Sequence, residues 1–152
     1  MMTGGGNLIN QSSAGQYAGG IGLRTNFGFN VKFNRQMTNL QGNVNIIIRA
    51  SDGKVYQIKA NSMTSMQTDL ISKVSSFESK ANLTDITNPI APVSLGGNLN
   101  FQMVMKDNGE PGTNDTIGFS LRDSSGALLF SSNWSGTQTV QQNLRGGNLV
   151  VR

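Results

Sequence analysis

Apolar and polar residues alternate with period two through most of this chain, the spacing that puts one set on each face of an extended strand. The longest run is Ile21 to Asn34, where Ile21, Leu23, Phe27, Phe29, Val31 and Phe33 alternate with Gly22, Arg24, Asn26, Gly28, Asn30 and Lys32. A second run, Asn98 to Lys106, sets Leu99, Phe101, Met103 and Met105 on one face and Asn98, Asn100, Gln102 and Lys106 on the other. Thr116 to Arg122 repeats it with Ile117, Phe119 and Leu121 inward. The last two runs predict a hairpin around which the rest of the chain closes a core. Their connection, Asp107 to Asp115, is too long for a tight turn.

Further strands follow from the same spacing. Leu40 to Arg49 turns Leu40, Gly42, Val44, Ile46 and Ile48 inward, and Asp52-Gly53 supplies a hairpin turn into Val55 to Ala60. Residues 61–72 read as irregular and 73–86 as a strand, although Leu70, Ile71, Val74 and Phe77 also have helical spacing. Pro89 and Pro92 mark a rigid connector, because proline keeps the preceding residue out of the helical region. Asp123-Ser124-Ser125-Gly126 turns into Ala127 to Ser131, and strands are expected at 137–144 and 148–151. Eight or more short strands separated by turn residues predict an all-β fold, a β-sandwich or Greek-key arrangement of jelly-roll type, over residues 21–152.

Residues 1–20 stand apart. They are rich in Gly, Asn, Ser and Gln, with Leu8, Ile9 and Tyr17 as the sizeable apolar groups. So little apolar area cannot offset the entropy of ordering the segment alone. It is expected to be a flexible arm, or a strand that orders by adding to a sheet edge, its own or a neighbour's.

Composition narrows the chemistry. The 152 residues are 36% hydrophobic and only 13% charged, with 19 Gly, against roughly 25% charged in an average soluble domain. Such uncharged polar surfaces are common on secreted proteins. The net charge is +4, with the basic residues scattered singly, so no phosphate-tracking stripe is visible and nucleic acid is not an expected partner. There is no Cys or His, which removes disulfides, thiol nucleophiles, imidazole acid-base work and Cys/His zinc sites. No apolar run reaches the roughly 20 residues of a membrane-spanning helix. The start, Met1 to Gly6, lacks the regions of a signal peptide. The chain is therefore either intracellular or given without a processed leader, and the second is the expectation.

Three places have side chains suited to chemistry. The connection 107–115 carries Asp107, Glu110 and Asp115, with Asn108 and Asn114 between them. Flexible glycine-containing loops of this kind gather oxygens around calcium, although the spacing is not that of an EF-hand and the same residues serve any exposed turn. Trp134, the one tryptophan, lies among Ser and Asn, and either stacks on a sugar ring or plugs the end of a sandwich. Asn10, Asn82, Asn114 and Asn133 each begin an N-glycosylation acceptor pattern, which chance alone produces often in a chain so rich in Asn, Ser and Thr. No acid outside the 107–115 trio has a second acid near it in sequence, so the paired carboxylates of a glycosidase are not indicated and no catalytic residues are expected.

The segments 28–34 (Gly-Phe-Asn-Val-Lys-Phe-Asn), 39–46 (Asn-Leu-Gln-Gly-Asn-Val-Asn-Ile), 55–59, 81–89, 107–112 and 130–134 together resemble an all-β domain found at the C-terminal end of large secreted bacterial and archaeal surface proteins. The resemblance spans residues 20–152 and omits the arm. It implies an extracellular, non-catalytic module without a defined activity. Two roles are expected to compete. One is a self-assembling subunit of a surface filament or layer, a homo-polymer joined by strand addition through Leu8, Ile9 and Tyr17. The other is a calcium-dependent carbohydrate-binding or adhesion module.

Overall fold

The alternating segments fold as antiparallel strands. The computed structural model describes residues 1–152: β1 Met2–Ile9, β2 Arg24–Phe33, β3 Leu40–Arg49, β4 Val55–Asp69, β5 Val74–Asp85, β6 Val93–Lys106, β7 Thr116–Arg122, β8 Leu128–Ser131, β9 Trp134–Ser135, β10 Gln138–Thr139, β11 Gln142–Asn143 and β12 Gly146–Val151. A 3-10 turn, Gly112–Asn114, interrupts the β6–β7 connection. Ten strands form one curled sheet in the order β11-β7-β6-β5-β4-β3-β2-β1-β12, with β8 also beside β7; β9 and β10 pair separately. This is the expected all-β, sandwich-like class. Within it the strands run as an up-and-down meander from β1 to β7, and β12 returns to lie beside β1.

Phenylalanine rings hold the curled sheet against itself. Phe27 and Phe29 on β2 touch each other at 6.2 Å between centroids. Phe29 reaches Phe77 on β5 at 6.1 Å, Phe77 reaches Phe101 on β6 at 5.9 Å, Phe101 reaches Phe119 on β7 at 6.3 Å, and Phe119 returns to Phe27 at 6.1 Å. A closed circuit of rings therefore bridges the two halves of the sheet. Aromatic pairs at these separations contribute beyond the area they bury. The halves part because β3 and β4 pair only between Val44↔Ala60 and Arg49↔Val55. Past Ala60, β4 continues with β5 alone.

Residues 1–20 differ from expectation. They are not a loose arm: β1 lies between β2 and β12 of the chain's own sheet, hydrogen-bonded to both. Met2 and Leu8 are fully buried in the same core as the phenylalanines. Glycine makes this possible. A Cβ on Gly6 would stand 2.1 Å from the Gly146 carbonyl oxygen, and one on Gly147 the same distance from that of Gly5. Beyond β1 the chain crosses to the far side of the sheet. Ala14 exchanges backbone hydrogen bonds with Ser131 and Tyr17 N–H donates to the Leu129 carbonyl, covering the outer edge of β8. Tyr17 packs edge-on against Tyr56, its centroid 5.1 Å away. The segment set apart by composition is thus an interior strand followed by an edge cover.

Three strand boundaries also move. Ile21 and Leu23 are exposed, since a turn at 20–23, with Gly22 at φ +80°, delays β2 to Arg24. Residues 61–69 are strand rather than irregular. Register shifts at Ala60/Ser62 and Met63/Ser65 break the alternation there, which hides the strand in sequence. The stretch 137–144 is two short strands, because the chain leaves the sheet edge after Ser132 and rejoins it at Gln142.

Candidate functional site

The 107–115 connection folds against β12, whose other edge is taken by β1. Leu149 and Val151 point their backbone N–H groups away from β1, and carboxylates meet them. Asp115 Oδ2 accepts from Leu149 at 2.9 Å and Asp107 Oδ2 from Val151 at 3.2 Å. The other Asp115 oxygen accepts from Asn108 N–H at 2.8 Å, and Asp107 Oδ1 from Gly109 N–H at 2.9 Å. Glu110 Oε1 accepts from Asn148 Nδ2 at 3.0 Å. Gly112 seats the loop, since a Cβ there would lie 2.3 Å from the Gly147 carbonyl oxygen. Lys73 Nζ adds a bond to the Val151 carbonyl at 3.3 Å.

The structure therefore brings Asp107, Glu110 and Asp115 to one place, but as acceptors for a strand edge. N–H groups bond five of the six carboxylate oxygens, whereas calcium takes six to eight oxygens as ligands. No three acidic side chains converge on one point suited to a metal ion. Asp115 is fully buried. Burial pushes its carboxyl above the usual value, the bonds from Leu149 and Asn108 pull the other way, and the charges of Asp107 and Glu110 add to the rise.

A groove opens on the outer face of β5, β6 and β7, built from the polar positions of the strands whose apolar positions form the core. Register sets Lys80 beside Asn100 and Asn100 beside Arg122. The next row is Glu78, Gln102 and Ser120. The floor continues under residues 137–141, an excursion of the edge that folds over β7, where the open trough has a volume of about 460 Å³. A second hollow of about 260 Å³ shares Gln102, Ser120 and Arg122 with it, extending the trough across to Glu78 and Lys80. Gly118 lets the excursion approach: a Cβ there would stand 3.1 Å from the Val140 carbonyl oxygen. Bonds from Thr116 Oγ1 to Gln141 Oε1 and between Ser131 and Thr139 hydroxyls, 2.8 and 2.7 Å, hold it down. The chain shows no match to any known protein family, curated protein or solved structure.

Trp134 does not line this trough. It lies half-buried behind it, with the Arg122 guanidinium over its ring at 5.7 Å. Arg122 also donates to the Gly126 carbonyl at 3.1 Å. The ring thus lies against a groove residue. Among the trough's lining residues Glu78 is the one carboxylate. Lys80, Asn100, Gln102 and Arg122 were missed as a set by sequence reasoning. The signal was present in the polar half of each alternation, but only cross-strand register joins those halves into rows.

The acceptor patterns fare differently. Asn10 is buried, its amide nitrogen donating to the Gly20 carbonyl and its oxygen accepting from Thr25. Asn82 and Asn114 are exposed, and Asn133 is half-buried.

Proposed function

We propose that this chain is a non-catalytic extracellular module that binds a glycan in the trough across β5, β6 and β7. The observation that carries the reading is the pair of rows, Lys80–Asn100–Arg122 and Glu78–Gln102–Ser120, on an open floor walled by 137–141. Amides, hydroxyls and planar cations are the groups that hydrogen-bond sugar hydroxyls. The trough runs across the strands, as an extended polymer requires. Glycoside hydrolysis uses two facing carboxylates, and Glu78 stands alone there, which favours binding over cleavage. The uncharged polar composition and the resemblance to secreted surface proteins support an extracellular setting. No helix is long and apolar enough to cross a membrane.

Affinity electrophoresis through gels carrying neutral or acidic polysaccharides tests this. The protein should be retarded in at least one gel, and the double variant Asn100→Ala, Gln102→Ala should migrate as in a plain gel while keeping its melting temperature. Unretarded migration in every gel would overturn the reading.

A second reading, self-assembly, is favoured by one feature: β1 lies between two strands and is joined to the rest by a long segment, residues 10–23. Exchange of β1 between copies would link them without new contacts. The covered edges of β8 and β12 weigh against simple edge addition.

A further inference from the structure

The trough's charge pattern points to one class of glycan. Arg122 is held in place by two neutral partners, the Trp134 ring and the Gly126 carbonyl, so neither cancels its charge. Lys80 Nζ donates to the Asn100 amide oxygen at 2.6 Å, again a neutral partner. Two cations thus flank Asn100 in one row, and Glu78 in the next is the one carboxylate lining the trough. With Nη1 bonded to the Gly126 carbonyl, the Nε and Nη2 edge of the guanidinium has no protein partner, and a planar guanidinium edge is the group that takes a carboxylate through two parallel bonds. Lys80 and Arg122 stand two strands apart, about 10 Å at ordinary strand spacing. That span is comparable to two successive pyranose rings.

We infer that the ligand is a carboxylate-bearing polysaccharide, a uronic acid polymer lying across the strands. Arg122 takes one carboxylate as a fork, Lys80 takes another, and Asn100 and Gln102 read the hydroxyls between. Trp134 acts as a positioning residue, ordering the guanidinium and leaving the sugar to others. The inference rests on the glycan-binding reading of the same trough and goes beyond it in naming the charge.

Polygalacturonate and its fully methyl-esterified form separate the two, since they share a backbone and differ in charge. Binding is measured by isothermal titration at low and moderate salt, with a panel of neutral glucans alongside. Polygalacturonate should bind, with affinity falling as salt rises, and the esterified polymer should bind roughly tenfold more weakly or worse, as expected for loss of charge-assisted bonds. Lys80→Gln, on a strand face open to solvent, should weaken polygalacturonate alone. Arg122→Lys keeps the charge but loses the fork, and should recover only part of what Arg122→Gln loses. Equal affinity for the acid and ester forms, or binding confined to neutral glucans, would overturn the charge assignment and leave glycan binding standing. Absence of binding to every polymer would overturn both. Circular dichroism of each variant separates lost binding from lost folding, and Lys80→Gln carries the test if the Arg122 variants unfold.

Discussion

The backbone N–H of Leu149 donates to Asp115 Oδ2 at 2.9 Å, so a side chain from the β6–β7 connection does for β12 what a neighbouring strand would otherwise do. Asp107 repeats this at Val151. An exposed strand edge is a template for pairing with other chains. Here one flank of the curled sheet is continuous through β3 and β4, and the other is closed by carboxylates. The three acids that look like a metal site in sequence are the clasp of the fold.

Asp115→Ala should leave the buried N–H of Leu149 without a partner, and the part-buried N–H of Asn108 with it. Unmet buried donors of this kind cost about 1–3 kcal/mol each, and thermal or urea unfolding measures the loss. A calcium chelator should leave the wild-type melting curve unchanged. A large drop in chelator would return these carboxylates to metal binding.

Phe29→Ala removes a ring that touches both Phe27 and Phe77. The expected cost is about 3–5 kcal/mol. Asn30→Ala, on the exposed face of the same strand, should change stability by less than about 0.5 kcal/mol. Comparable costs at the two positions would mean that β2 does not bury the face described.

Two glycines on the strands that flank β1 should respond in opposite ways. Gly147 sits at φ +105°, and its Cβ would stand 2.1 Å from backbone of β1, so Gly147→Ala should unfold the protein or cost several times the ordinary glycine-to-alanine difference of about 0.5–1 kcal/mol. Gly28 has open space above it. Gly28→Ala should stabilise by about 0.5 kcal/mol, through the strand entropy that glycine wastes.

Deleting residues 1–9 should not yield a folded remainder, because it removes an interior strand with Met2 and Leu8 from the core. The truncated chain is expected to aggregate or stay unfolded by circular dichroism. A synthetic peptide of residues 1–10 should restore the fold in trans. A soluble, folded truncated monomer would show that β1 is dispensable to this domain and free to serve another copy.

Acid should destabilise the protein through Asp123 and Asp85. The Asp123 carboxylate accepts from the Ser125 hydroxyl and from the N–H groups of Ser125 and Ala127, which lowers its pKa. Asp85 is lowered likewise by the Thr87 hydroxyl and N–H. A lowered folded-state pKa contributes stability above the ordinary value of 3.8, and that stability is lost as pH falls through the folded value. Asp115 has the opposite sign: its raised pKa favours the folded state at low pH, and that contribution fades as pH rises through the folded value. Melting temperature from pH 2 to 6 should therefore fall less steeply below about pH 4 in Asp123→Ala than in wild type. An unchanged acid limb would remove Asp123 from this role.

The sequence by itself determined the class of fold and most of the core. A period-two pattern has one way to bury its apolar half, and Leu99, Phe101, Met103, Ile117, Phe119 and Phe29 all lie where that pattern puts them. It was silent where a local rule broke or a partner was distant. The strand at 61–69 is masked by two bulges, since each shifts the alternation by a residue. Residues 2–9 carry too little apolar surface to predict a core strand. Their place is set by pairing with β2 and β12, and glycines on β1 and β12 let those two backbones come close. The acids at 107–115 could be grouped from sequence, but only the return of β12 brought the N–H groups of Leu149 and Val151 to them. The trough is the same case. Lys80, Asn100 and Arg122 are far apart along the chain, and cross-strand register, a property of the assembled sheet, makes them neighbours.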